Sequence, residues 1–407
     1  MPENTLLEEA QDLLPDAVRL RRDLHRHPEV GNELPRTRDR VLDAIDGLGL
    51  DITLHESTSG VAAVLDGCSP GPTILLRGDM DALPMPEDTG ADFSSETDET
   101  MHACGHDLHV AMLAGAARLL VAHRDELTGR VLFMFQPGEE GHHGARFMLD
   151  EGLLDLPAAP GGDESPVTGA FALHVTSVLP TGMVTTRGGP IMASADRLEI
   201  TVTGRGGHAS EPFRALDPVP IACEIVQAIQ TMVTRRIDVF DPAVVTIGSI
   251  HAGTTNNVIP ETAHIVGTIR AVSERTRSKV HDSLRRLVEN LAAAHEATAS
   301  LHIEPGYPVT VNDGDFASFA ASTARDLLGD DRVVALPNPV MGAEDFSYVL
   351  QKVPGTMMFL GGTPPDRDPR TAAPNHSNRV WFDENTMVQG IALYAGVALA
   401  HGHGASD

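Results

Sequence analysis

Short apolar runs recur along the first half of the chain, and each breaks off at acidic residues or a histidine. They are TILLRGDMDALP, GRVLFMFQPGEEG and GAFALHVTS. Continuous apolar character without polar alternation marks strands buried on both faces. Between the first two lies HDLHVAMLAGAARLLVAHRDEL, apolar at helical spacing. Buried strands alternating with helices predict an α/β fold around a largely parallel sheet. In such a sheet the chemistry gathers beyond the carboxyl ends of the strands. Asp79 and Asp81, Glu139 and Glu140, and His174 fall at those ends, and His174 is expected to close its strand.

The pattern changes near RGGPIMASA. There follow strand RLEITVTG, helix PVPIACEIVQAIQTMVTRR, strands AVVTIGSIHAG and TAHIVGTIRAV, helix ERTRSKVHDSLRRLVENLAAAHEATA and strand SLHIEPG. This β-α-β-β-α-β order is that of a ferredoxin-like sandwich, a complete small domain. Mixed α/β character returns with PVMGAEDFSYVLQKVPGTMMFLGG. The small domain is therefore read as an insertion over 189–304, with 1–188 and 305–407 as the two parts of the larger domain. TPPDRDPRTAAPNHSNRV and PAAPGGDESP read as loops.

Charge narrows the partners. Thirty Lys and Arg against 57 Asp and Glu leave a net charge of −27. Such a surface repels nucleic acid and anionic lipid, so neither is an expected partner. The acidic, amphipathic start MPENTLLEEAQDLLPDAVRL lacks the basic lead and apolar core of a secretory signal. No apolar run approaches the roughly 20 residues of a membrane span. A cytoplasmic location is the expectation. Three cysteines make no disulfide framework, and Cys68 and Cys223 read as packed or loop thiols.

The candidate chemistry is a scattered donor set. Cys104 and His106 in MHACGHD can place a thiolate and an imidazole on one divalent ion. His109, one helical turn on, reads as a helix-surface or supporting histidine. The adjacent carboxylates of QPGEEG repel each other unless a positive charge sits close, and a metal supplies it. One can then bind the metal while the other accepts a proton from water. In RGDMDALP, one aspartate can orient a metal-bound histidine. Together Cys104, His106, Glu140, His174 and His376 exceed the needs of one tetrahedral ion. They point to two cations about 3.5–4 Å apart. The joint His-x-Glu and Pro-Cys-x-x-Cys pattern of a zinc deaminase and the Cys-x-x-Cys of a thiol oxidoreductase are absent, since the only cysteines are Cys68, Cys104 and Cys223.

The motifs GDMDALP, MHACGHD, QPGEEG, ALHV, GRGGHAS, NNVIP, GTIR, MGAEDFS and NHS, in this order, resemble the two-metal aminoacylase and carboxypeptidase superfamily in its amidohydrolase branch. That branch includes hippurate, N-acyl-amino-acid and auxin-conjugate hydrolases. The resemblance implies an exopeptidase-like catalytic domain with the inserted domain as lid and dimer interface. It implies two divalent ions per subunit (Zn, Mn, Co or Ni) on Cys104, His106, Glu140, His174 and His376. Glu139 matches the general base and Asp81 the aspartate that orients the site. Asp79 stands where the wider superfamily has a ligating histidine, a loss that the Cys104 motif offsets. His208 matches a histidine reaching into the partner subunit's site, and Asn257 and Arg270 match residues holding a substrate carboxylate. Three positions depart from the branch: Phe213, where histidine is frequent, Gly138 for alanine, and Asn378 for proline.

The expected reaction is metal-assisted hydrolysis of N-acyl amino acids to a carboxylic acid and a free amino acid, by a homodimer. The alternatives are an N-acetyl deacetylase, a carboxypeptidase-like or aminopeptidase-like peptidase, and a catalytically silent homologue.

Overall fold

Which apolar runs pair decides where the acidic residues end up. A computed structural model describes residues 5–158 and 165–404. The first four residues of the amphipathic start, and 159–164 of the PAAPGGDESP loop, lie outside the described residues. The chain divides into two units. The larger comprises Met1–Gly189, Val311–Pro337 and Tyr348–Asp407, and the smaller Pro190–Thr310 and Asn338–Ser347.

The larger unit is built on an eight-stranded sheet. Its order is Asp51–Leu54, Val61–Asp66, Thr128–Gln136, Ser69–Asp79, Val167–Pro180, Gly355–Thr363, Val184–Thr186 and Val333–Ala335. The four central strands run parallel. Antiparallel pairings flank them on both sides, and the edge pair Val184–Thr186 and Val333–Ala335 is again parallel, so the sheet is mixed with a parallel centre. The flanking strands Asp51–Leu54 and Val61–Asp66 are joined by a connection too short for a parallel crossover. The central apolar runs are fully buried: Ile74 to Leu76, Val131 to Phe135, and Phe171 to Leu173. The helix His106–Ala122 packs against Thr5–Arg26, Thr386–Gly404 and the strand Ser69–Asp79, and is buried on nearly every face.

His174 does not close its strand, which continues to Pro180. One neighbour, Gly355–Thr363, pairs along that extension, with Phe359 opposite His174. The other, Ser69–Asp79, pairs only as far as Arg77 opposite Ala172. His174 thus sits two residues past the point where the ladder opens on one side. That opening gives it the access expected of a strand end.

In the smaller unit, four antiparallel strands are ordered Ala243–Ala252, Thr262–Ala271, Asp196–Thr203 and Thr298–Pro305. The helices Pro218–Arg236 and Glu274–Ala294 cover one face, burying Leu198, Ile200, Val202, Ile225 and Leu284. This is the ferredoxin-like order and strand arrangement. Asp217 and Ser273 cap the two helices, accepting from Val219 N–H at 3.0 Å and Thr276 N–H at 3.1 Å. The second helix stops at Ala294, short of the full apolar pattern, because Glu296 turns left-handed at φ 61.

The boundaries at 304 and 305 do not match those of the compact units. The smaller unit runs on to Thr310 and also takes Asn338–Ser347. That return segment is hydrogen-bonded to the start of the insertion: Val340 N–H donates to Ile191 O at 2.9 Å, and Ala193 N–H to Gly342 O at 2.8 Å. No apolar periodicity announces such a segment. Among the described residues no helix is long and apolar enough to cross a membrane.

Candidate metal centre

Five donors far apart in sequence converge in the larger unit. Cys104 Sγ lies 3.4 Å from His174 Nε2 and 3.2 Å from His376 Nε2. His376 Nε2 lies 3.1 Å from Glu140 Oε1. Two donor groups result, Cys104–His106–His174 and Cys104–Glu140–His376, with Cys104 in both. Glu139 and Glu140 form a third group with His106. Glu139, a candidate base, therefore stands beside the donors rather than away from them. It is buried, as are Cys104, His106 and His174, while His376 is about half exposed.

Local structure fixes each donor. His106 opens its helix behind Gly105, which sits at φ 91. A Cβ on Gly105 would overlap Val175 Cγ1, so only glycine lets the helix start this close to the His174 strand. His106 Nδ1 donates to Asp81 O at 2.8 Å, which leaves Nε2 as a lone pair. That nitrogen is wholly buried and has no hydrogen-bond partner. His174 Nδ1 faces Val175 O at 2.8 Å, which again frees Nε2. Asp81 holds the acidic loop: its two carboxylate oxygens accept from Glu139 N–H and Glu140 N–H, each at 2.9 Å.

Sequence reasoning gave Asn375 no role. Its amide donates to Cys104 O and Val175 O, both at 3.0 Å, and its Oδ1 accepts from Ser177 N–H at 3.1 Å. It staples the His376 loop to both the Cys104 turn and the His174 strand. Its position next to His376 in PNHSN was the available signal. His376 itself adopts φ 67, strain of the kind held only where surrounding contacts demand it.

His109 is not on a helix surface. It is fully buried, with Nδ1 at 2.5 Å from Asp79 Oδ1 and Nε2 accepting from Val175 N–H at 2.7 Å. His102 belongs to none of the donor groups and lies with its ring 6.3 Å from that of His25. Cys68 and Cys223 are exposed free thiols, the first in a loop as read and the second on the helix Pro218–Arg236.

The electrostatics suit a cation. Burial pushes the Cys104 thiol up, and the Glu140 charge adds to it, so a thiolate there requires a positive neighbour. Hydrogen bonds to Cys104 and Glu140 hold His376 up at about 10. Burial drives His174 well below the ordinary imidazole value, the neutral state in which it can donate a lone pair. A buried lone pair without a partner, a carboxylate donor with a second carboxylate beside it and a thiol needing positive charge together fit bound divalent ions.

The smaller unit carries the other predicted residues. His208 is exposed on a two-residue strand that pairs with Val258–Ile259, and Asn257 O accepts from Ala209 N–H at 3.1 Å. Ser210 N–H donates to His208 Nδ1 at 3.1 Å, so Nε2–H is the outward donor. Arg270 is half-buried opposite Val244 on the strand Thr262–Ala271, and the described residues offer it no carboxylate within ion-pair distance. It lies eight residues beyond Thr262 on that strand. Arg270 is therefore separated from the His208–Asn257 end by roughly 26 Å of extended chain.

An α/β core with a parallel centre that gathers thiol, imidazole and carboxylate donors where its strand ladders open or end is the pattern of a class, the metal-dependent hydrolases. Residues 75–400 match the family described as Peptidase family M20/M25/M40, and the chain belongs to that family. It is 37% identical over 388 residues to thermostable carboxypeptidase 1 of Saccharolobus solfataricus, covering 94% of each chain. It is 39% identical over 345 residues to the N-acetylcysteine deacetylase of Bacillus subtilis, covering 84% of this chain and 87% of that one. The Bacillus subtilis YXEP protein, described as a dinuclear metal binding peptidase from the M20 family, superposes with a TM-score of 0.81 at 33% identity, over 96% of this chain and 98% of that one.

Proposed function

We propose that this protein is a dinuclear amidohydrolase that cleaves N-acyl amino acids to a carboxylic acid and a free amino acid. The carrying observation is the convergence of Cys104, His106, Glu140, His174 and His376 into two donor groups sharing Cys104, with Glu139 beside them. Two divalent ions bound there supply a positive field that acidifies water and polarises an amide carbonyl.

The chain's own residues do the rest. Glu139 takes a proton from the attacking water and passes it to the leaving nitrogen. Asp81 holds Glu139 and Glu140 in register through their backbone N–H groups. His208 presents Nε2–H to the oxygen that gains charge at the scissile carbon. Asn257 and Arg270 receive the substrate carboxylate, and the uncommitted guanidinium of Arg270 can do so bidentately.

The smaller unit is read as the lid and as the interface of a homodimer. Because Asn257 and Arg270 lie at opposite ends of their unit, one carboxylate meets both only if they come from two copies. The edge strand Ala243–Ala252 supports this, since it leaves Val244 and Ile250 exposed beside unpaired backbone.

The test is a hydrolysis screen of N-acetyl, N-benzoyl and indoleacetyl amino acids and of dipeptides, with metal removed and restored. Metal-dependent release of free amino acid from the acylated set, and little from dipeptides, is expected. Turnover of dipeptides alone transfers the assignment to a carboxypeptidase-like activity, the reading that the Saccharolobus relative favours.

A further inference from the structure

We propose that Arg77, Asp79 and His109 form a buried positioning relay. It sets the cation position bounded by Cys104, His106 and His174 and leaves the Cys104–Glu140–His376 position independent. This rests on the two-cation reading above and adds a difference between the two positions.

His109 stands behind both imidazoles of the first position. Its ring stacks on His106 with centroids 5.4 Å apart and meets His174 edge-on at 4.9 Å. Its tautomer is forced: Nε2 accepts from Val175 N–H at 2.7 Å, so the proton is on Nδ1 and goes to Asp79 Oδ1 at 2.5 Å. Val175 follows His174, so this bond also pins the strand at the donor. Asp79 Oδ2 forms an ion pair with Arg77 Nη1 at 2.6 Å, and Arg77 Nε donates to Gln136 Oε1 at 2.8 Å. Arg77, Asp79 and His109 are wholly buried, so no solvent relaxes the arrangement.

Asp79 acts through space as well. Its Oδ2 lies 3.3 Å from His106 Nε2, the buried lone pair without a hydrogen-bond partner. A fixed carboxylate there deepens the negative potential where the first cation binds. Asp79, His106 and His109 are themselves close enough to resemble a third donor group. Both ring nitrogens of His109 are already engaged, however, and Arg77 sits on Asp79, so this group supports an ion rather than holding one. Glu140 and His376 make no hydrogen bond, ion pair or ring contact with Arg77, Asp79 or His109 among the described residues.

Stepwise Co²⁺ binding to the metal-free full chain, by equilibrium dialysis and thiolate-to-cobalt absorption, tests the relay in wild type, Asp79→Asn and His109→Gln. We expect two ions in wild type. In each variant one position should weaken by about 10–100-fold while the other stays within about twofold. The thiolate band should persist, because Cys104 belongs to both positions. Equal weakening of both positions, or of neither, overturns the relay. If Asp79→Asn leaves Arg77 too poorly compensated to fold, His109→Gln decides alone. Fewer than two ions in wild type refutes the two-cation reading itself, and the relay with it.

Discussion

The two units carry their predicted site residues in opposite ways. In the larger one, donors from distant parts of the chain stand 3.1–3.4 Å apart, mostly buried and locked by backbone hydrogen bonds. In the smaller one, His208 and Asn257 are exposed at one end, and Arg270 is half-buried toward the other. The donor atoms of the first arrangement all come from one unit. In the second, the exposed side chains are held by short-range contacts, as between Ser210 and His208. The contrast matches two tasks. Holding cations demands rigid, desolvated donors, whereas contacting substrate demands groups that remain free until it arrives.

Four substitutions put that contrast at risk. The largest effect is expected from Glu139→Gln. Turnover should fall by about 10²–10⁴-fold, since the base is lost, while metal content by elemental analysis stays at the wild-type level. Near-normal turnover would remove Glu139 from the role of base. His208→Ala should lower kcat by about 10²–10³-fold with metal retained. Mixing it with Glu139→Gln should restore activity, because a mixed dimer assembles one intact site from two damaged copies. An inactive mixture that nonetheless forms mixed dimers would place His208 in its own subunit's site.

The third concerns the fold of the smaller unit rather than its surface. Burial works against the Asp196 charge, but hydrogen bonds from His281 and Arg277 prevail and hold it at about 2, below its ordinary 3.8. A depressed carboxylate stabilises the native state above its unfolded value, and that stability is lost as pH falls through about 2. Asp196→Asn should therefore cost about 2 kcal/mol at neutral pH and flatten the acid limb between about pH 4 and 2, read by urea denaturation. Metal binding in the larger unit should not change. The smallest effect is expected from Arg270→Lys. Its KM should rise roughly tenfold with kcat nearly unchanged, because an ammonium cannot grip a carboxylate bidentately. An unchanged KM would separate Arg270 from the substrate carboxylate.

Much of this architecture could be read along the chain. Apolar runs ending in acidic residues located the central strands, and the shift in pattern located the ferredoxin-like unit, because burial imposes a period that any sequence must obey. Donor identity was equally legible, since Cys104, Glu140 and the histidines are chemically unlike the apolar runs around them. Other features left no such trace. The segment 338–347 joins the smaller unit through backbone hydrogen bonds, which any side chain permits. His174 gains its opening from a neighbouring strand that stops early. Asn375 and His109 bond to partners tens to hundreds of residues away.

The sequence by itself determined the types of element and the kinds of donor, because periodicity and side-chain chemistry are local properties. Only the tertiary structure decided that Cys104 stands between two donor groups, that Arg77 pairs with Asp79 and that His109 is buried behind two of the donor histidines. Distance, tautomer and burial are properties of pairs of residues, and they exist only once the chain has folded.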